Sequence, residues 1–134
     1  MERTTKHFRK REAILACLRE TTVHPSADWV YARLKPEFPD LSLGTVYRNL
    51  ALFKEQGLIQ SIGTVSGVER FDGDIRPHAH HICTSCGCVG DLQDVTMLEE
   101  LRHLACRYTD GSVSGCQLTF TGLCRDCMEM ERAT

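Results

Sequence analysis

Leu41–Phe71 reads LSLGTVYRNLALFKEQGLIQSIGTVSGVERF. Leu43, Val46, Leu50 and Phe53 recur at intervals of three and four, the spacing of one helical face. Ser42 stands where a capping hydroxyl belongs, and Gly57 is placed to end the helix as its C′ residue. Thr45, Arg48, Asn49 and Leu52 fall on the opposite face, with Tyr47 near the boundary. Arg and Asn are the side chains that read guanine and adenine edges, and Tyr or Thr can meet a thymine methyl or a phosphate. Taken alone, that face fits a solvated surface equally well. The next residues tip the balance. Leu58–Ile62 alternates like a strand, Gly63–Gly67 supplies a turn, and Val68–Phe71 returns. A polar-faced helix followed at once by a hairpin predicts the last helix and the wing of a DNA-binding domain.

Upstream, two more helices complete that plan. In Lys10–Glu20, KREAILACLRE, residues Ile14, Leu15 and Leu18 with Ala13 and Cys17 make one apolar stripe. Cys17 reads there as a small buried hydrophobe. His24-Pro25-Ser26-Ala27-Asp28 interrupts the pattern, with Ser26 as a cap. Trp29, Val30 and Leu34 form the buried face that follows, and Pro36 and Pro39 end it. By spacing alone, His24 reads as a surface loop histidine. The expectation for residues 1–71 is a winged helix-turn-helix domain. Ser42, Thr45, Tyr47, Arg48 and Asn49 are its candidate DNA readers, and Arg70, Lys10 and Arg11 its candidate backbone contacts, with Arg3, Lys6 and Arg9 also basic.

Asp72–Pro77, DGDIRP, is a polar connector and the expected hinge, residues 72–77. Residues 78–134 then read as a small α/β domain, giving an α+β chain overall. Val95, Leu98, Leu101, Leu104 and Ala105 share one helical face, and Ser112–Leu123 alternates as strand material before a short tail. A lobe of under 60 residues has little core and calls for a staple, a partner chain, or both.

The staple lies in Pro77–Asp91, PHAHHICTSCGCVGD, which carries three histidines and three cysteines. Cys83-x-x-Cys86 and Cys124-x-x-Cys127 are two thiolate knuckles able to close a tetrahedral zinc site. A redox dithiol or a pair of disulfides is the alternative, and the βαβ surroundings of a thioredoxin-like motif are missing. Cys88 fits the knuckle spacing less well and stays unassigned. On an extended strand His78 and His80 share one side and His81 the other. With Asp72 upstream and Asp91 downstream, the first two imidazoles predict a separate nitrogen and oxygen site suited to Fe(II), Mn(II) or Zn(II). A histidine-rich surface loop is the plain alternative.

Composition bounds these readings. The apolar and charged fractions, 42% and 25%, are those of an ordinary globular domain. No apolar run is long enough for a membrane span, and the basic N-terminus leads into no signal-type core, so a cytoplasmic protein is expected. Net charge is −2 but unevenly spread. Residues 1–56 carry ten Lys/Arg against seven Asp/Glu, and residues 77–134 carry four against eight. A basic front half can meet phosphate, and an acidic rear half should not.

Together HPSAD, SLGTVYRNL, HAHHICTSCG and CRDC resemble the ferric-uptake-regulator family of bacterial metal-dependent repressors, over about Arg11 to Cys127. The resemblance implies a homodimer, with an N-terminal winged helix and a C-terminal dimerisation domain, that binds palindromic double-stranded DNA when a regulatory metal is in place. It places Cys83, Cys86, Cys124 and Cys127 on structural zinc. It places His24, Asp72, His78, His80 and Asp91 on the regulatory ion, Fe(II) or Mn(II), and so reverses the plain reading of His24. It further implies that peroxide sensors favour Asp where Asp91 stands, that iron sensors more often carry Glu, and that zinc sensors recruit a cysteine ahead of the H-x-H run. Peroxide sensing by metal-catalysed oxidation of His24 or His78 is therefore the leading expectation, followed by iron and then by zinc or manganese response. Many relatives carry an extra helix before the winged core, and the residues ahead of Lys10 are too few for a full copy.

The chain is not expected to be an enzyme, since the proposed chemistry is stoichiometric. A zinc hydrolase would need an open coordination position and a pocket, and no HExxH helix is present. A zinc-knuckle interaction module is the remaining alternative. His81 and His103 have no assigned role.

Overall fold

The computed structural model describes residues 2–93 and 95–133. It divides into two compact units, Met1–Ile75 and Arg76–Thr134.

The first unit contains α1 (Glu2–Glu20), α2 (Ala27–Leu34), α3 (Leu43–Glu55), β1 (Gln60–Val65) and β2 (Val68–Asp72). Ser26 caps α2 by accepting from the Trp29 N–H at 3.2 Å, and Ser42 caps α3 by accepting from the Thr45 N–H at 3.1 Å. At the end of α3 the Gly57 N–H donates to Lys54 and the Leu58 N–H to Phe53. That double closure turns on Gly57, whose φ is 74°. Ile14, Leu18, Val30, Leu41, Val46, Leu50 and Phe53 form the buried centre, joined by Ile59 and Phe71 from the hairpin. The apolar stripes read from the sequence thus meet in one core.

Several limits differ from the sequence expectation. Helix α1 begins at Glu2 instead of Lys10. Its first turns have no apolar stripe to announce them, but they contain no Gly or Pro to stop the helix growing outward from its buried half. The side chains of Arg3 and Lys6 lie outside the described residues. Strand β1 runs on to Val65, past Gly63, and the turn shrinks to Ser66–Gly67, both with positive φ, 54° and 83°. Positive φ at both turn residues matches the twist of a tight hairpin. A bulge between Ser61 and Gly63 absorbs the extra residue.

In the second unit β3 (Ala79–Cys83), β4 (Val89–Leu92), α4 (Val95–Tyr108), β5 (Thr119–Gly122) and α5 (Arg125–Ala133) follow in order. The sheet order is β4-β3-β5, with β4 antiparallel and β5 parallel to the central β3. Helix α4 provides the crossover that a parallel pair requires. Two corrections apply. The expected strand over Ser112–Leu123 is confined to Thr119–Gly122, and the expected tail is the helix α5. The alternation read over Ser112–Leu123 meets a ladder partner only at Thr119–Gly122, and the tail offered no clear period to read. Among the described side chains of α4, Leu98 alone is buried, whereas Leu104, Tyr108 and, on the sheet, Phe120 are exposed in the single chain. The lobe has too few elements to cover its own apolar faces.

Candidate metal centres and nucleic-acid interface

Strand β3 carries two chemistries on its two faces. Side chains alternate along a strand, so His78, His80 and Ile82 share one side, and Ala79, His81 and Cys83 the other. The register with β4 then selects partners. His80 lies opposite Asp91, and Ile82 opposite Val89. One step further the Cys83 N–H donates to the Cys88 carbonyl at 2.9 Å, which sets Cys88 across from Cys83. Gly87, at φ 78°, makes the turn that returns the chain.

On the imidazole face, His78 Nε2 and His80 Nε2 lie 3.2 and 3.4 Å from the same oxygen, Asp91 Oδ1. The two rings are 4.5 Å apart. Both histidines are buried, at 5% exposure. His78 Nδ1 donates to the Arg76 carbonyl at 2.6 Å, which orients the ring and leaves the Nε2 lone pair facing Asp91. Lone pairs converging on a carboxylate repel unless a proton or a cation lies among them. The donor set fits a borderline or hard divalent ion.

Within the first unit, His24 Nε2 lies 3.3 Å from Asp72 Oδ2, and both residues are buried. His24 takes the left-handed backbone conformation, φ 54°, which disfavours any residue with a Cβ. Arg70 holds that turn: its Nε donates to the His24 carbonyl and its Nη2 to the Val23 carbonyl at 2.7 Å. The Phe71 N–H also donates to Pro25. Asp72 Oδ1 accepts from the Asp74 N–H at 2.8 Å. Beside it, an added Cβ on Gly73 would stand 2.6 Å from the Leu18 carbonyl oxygen. The backbone after Asp72 therefore rests directly on α1.

On the other side of β3, the sulfurs of Cys83, Cys86, Cys88 and Cys124 lie within 4.8 Å of one another. Cys86 Sγ and Cys124 Sγ are 3.8 Å apart. A regular tetrahedron with Zn–S bonds of about 2.3 Å has edges of about 3.8 Å. The parallel pairing of Cys83 with Gly122 in β5 delivers Cys124 to this place. The Cys86 N–H donates to Cys83 Sγ at 3.4 Å. That backbone bond, followed by one from Cys124, lowers the Cys83 thiol from 9.0 to about 5. Cys124 is lowered chiefly by the Cys127 N–H. Hydrogen bonding to Cys86 pushes Cys88 up to about 12, and hydrogen bonding to Cys124 pushes Cys127 up to about 12. The cluster thus keeps protons between sulfurs that a divalent ion would displace. Of the four thiols expected, Cys83, Cys86 and Cys124 fall in the close group, and Cys88 occupies its fourth place. Cys127, on the first turn of α5, is not among those four. Sequence spacing left Cys88 unassigned; a hairpin folded about Gly87 was the signal that could have placed it.

The expected DNA-facing residues divide into two groups. Tyr47 and Arg48 are exposed on α3, and Arg48 Nη2 donates to Thr45 Oγ1 at 3.1 Å. Ser42 Oγ is 2.8 Å from Thr45 Oγ1. The Asn49 amide turns back to donate to the Thr45 carbonyl at 2.9 Å. Lys10 pairs with Asp40 at 3.0 Å, and Arg11 donates to Gln56 at 3.2 Å with its guanidinium 5.6 Å from the Phe53 ring. These two cations brace α1 against its neighbours. Arg70, a candidate phosphate contact, clamps the His24 turn, because two adjacent carbonyls fit its planar fork.

The described residues contain no helix long and apolar enough to cross a membrane. The profile of the ferric uptake regulator family matches residues 2–121. A peroxide-responsive repressor, PerR, from Staphylococcus saprophyticus is 37% identical over 120 residues, covering 90% of this chain and 80% of that protein. The solved peroxide stress regulator of Campylobacter jejuni superposes with a TM-score of 0.83 at 29% identity, covering 94% of each chain. A ferric uptake regulator from Pseudomonas aeruginosa, solved with manganese, gives a TM-score of 0.71 at 26% identity, covering 86% of this chain and 87% of that one. The match spans both the helix-and-wing unit and the sheet that bears the two donor sets, and the chain belongs to the ferric uptake regulator family.

Proposed function

We propose that this chain is a peroxide-sensing, metal-dependent transcriptional repressor that binds palindromic DNA as a homodimer. The convergence of His78 Nε2, His80 Nε2 and Asp91 Oδ1 carries the reading, since such a group is stable only around a positive charge. In the proposal, His24 and Asp72 complete the ligand set of the same ion. The support for joining them is the motif resemblance and the matching character of the two donor groups, imidazole with carboxylate in each. An ion held by residues from both units favours one arrangement of the hinge at residues 72–77 over others. In a dimer that arrangement decides whether two α3 helices meet half-sites about one helical turn apart, or a multiple of it. The exposed Leu104, Tyr108 and Phe120 supply apolar surface for the dimer. A separate structural zinc is held by thiolates of Cys83, Cys86, Cys124 and Cys127.

Bound iron(II) would pass an electron to peroxide and recover one from the ring, so that overall one peroxide oxygen would enter an imidazole C–H bond and the other would leave as water. His24 and His78, both buried, are the residues proposed to take up oxygen. An oxidised ring no longer offers the same nitrogen lone pair, so the ligand set opens and DNA is released.

The test uses a duplex selected from a random pool by the manganese-loaded protein. Anaerobic iron-loaded protein should bind it, release it on peroxide, and gain the mass of one oxygen atom on a peptide containing His24 or His78. Metal-dependent binding that survives peroxide, with no mass gain, would leave an iron- or manganese-responsive repressor. Binding independent of any added metal would remove the reading altogether.

A further inference from the structure

The thiolate cluster contains one sulfur more than a tetrahedral ion accepts. Cys83, Cys86, Cys88 and Cys124 already form a group of four within 4.8 Å, and Cys127 follows Cys124 at knuckle spacing on the first turn of α5. We propose that Cys88 is an interchangeable fourth ligand, so that the zinc site closes with either Cys88 or Cys127 alongside Cys83, Cys86 and Cys124. The inference rests on the zinc reading given above.

Two observations place Cys88 in the site. The β3–β4 register sets it across from Cys83, a fixed ligand of the cluster. Residues directly opposed in an antiparallel pair project to the same face of the sheet. The turn at Gly87, tied by its N–H to the Cys83 carbonyl at 3.0 Å, draws Cys86 and Cys88 around the same point. Cys127 arrives from elsewhere, on the first turn of α5. The two candidates therefore reach the ion from different elements, and one enters the fourth place as the other leaves it. Closure by Cys88 keeps three of the four ligands on one hairpin, whereas closure by Cys127 also anchors α5. Exchange leaves the charge and sulfur count at the metal unchanged, because one thiolate replaces another.

Zinc per chain, measured after a chelator challenge, tests this in the full-length protein. Cys88→Ser and Cys127→Ser should each retain the zinc of the wild type, and the double variant should lose it. Cobalt-substituted single variants should keep the sulfur-to-cobalt absorption of four thiolates. Zinc lost from Cys127→Ser alone would show that Cys88 does not ligate. Zinc lost from Cys88→Ser alone would make Cys88 obligatory, and retention by the double variant would place the site elsewhere; each overturns the proposal. A measurement on the wild type guards against a variant that fails to fold. Limited alkylation of the zinc-loaded protein should label Cys88 and Cys127 alike, and label confined to either one defeats the exchange. Wild-type protein that takes up no zinc would instead refute the zinc reading itself.

Discussion

His80 and Asp91 stand directly opposite each other across the β3–β4 pair, with His80 Nε2 3.4 Å from Asp91 Oδ1. Asp91 thus meets its partner through sheet register, and the carboxylate oxygen that faces His80 also faces His78. Substituting Asp91→Asn keeps the shape and removes the charge. Manganese affinity should fall by about 10- to 100-fold or more, the range seen when groups supporting a metal site are altered. Zinc content should stay at the wild-type level, because the thiols project from the other side of β3. Calorimetric titration of manganese beside zinc analysis checks both halves of the claim.

The His24 turn depends on Arg70. Replacing Arg70→Met removes two charged donors from the Val23 and His24 carbonyls while keeping much of the side-chain bulk. Stability should drop by about 1–3 kcal/mol, the cost of leaving such carbonyls unsatisfied. Urea unfolding measures it. An unchanged midpoint would mean that the clamp contributes nothing to the turn.

Gly73 meets a backbone atom with no freedom to yield. A methyl group there would press on the Leu18 carbonyl. For Gly73→Ala, a loss of about 1–3 kcal/mol is expected from overpacking, together with weaker manganese binding because Asp72 is the adjacent residue. Thermal unfolding and metal titration of the same preparation report the two effects.

Protons and zinc compete for the sulfurs. Cys88 and Cys127 lie far above the ordinary 9.0 of a thiol, so both are protonated in the metal-free protein at neutral pH. Zinc uptake near pH 7 should therefore release protons, and affinity should fall on acidification. For the metal-free unit the signs oppose each other. The lowered Cys83 contributes stability above 9.0 that is lost as pH falls through about 5. The raised pair contributes below 9.0 and loses that contribution as pH rises through about 12. Calorimetry of zinc binding in buffers of different ionisation enthalpy counts the protons released.

On α3, Arg48 is the exposed cation best placed to read a base. Its change to Ala should weaken binding to the selected duplex by about 1–3 kcal/mol and relax sequence preference at one position. Fluorescence anisotropy against single-base variants of the duplex distinguishes this from a phosphate contact, whose loss weakens all sequences alike.

Much of the first unit was legible because its signals are local. Ser26 and Ser42 cap the helices they precede, and the three- and four-residue spacing of Leu43, Val46, Leu50 and Phe53 marks the face on which α3 packs. The early start of α1 and the existence of α5 were harder to read. Both segments are polar on most sides, so no apolar period marks them.

Local chemistry in the sequence was enough to indicate the three helices, the wing, the two Cys-x-x-Cys knuckles and the shared side of His78 and His80. Each follows from caps, periodicity or alternation within a few residues. Tertiary structure decided the rest. It turned Arg70 inward to the Val23 and His24 carbonyls and set Gly73 against Leu18. It also chose Cys88 as the residue opposite Cys83. Those choices depend on strand register and on backbone surfaces brought together from distant parts of the chain, which no spacing along the sequence encodes.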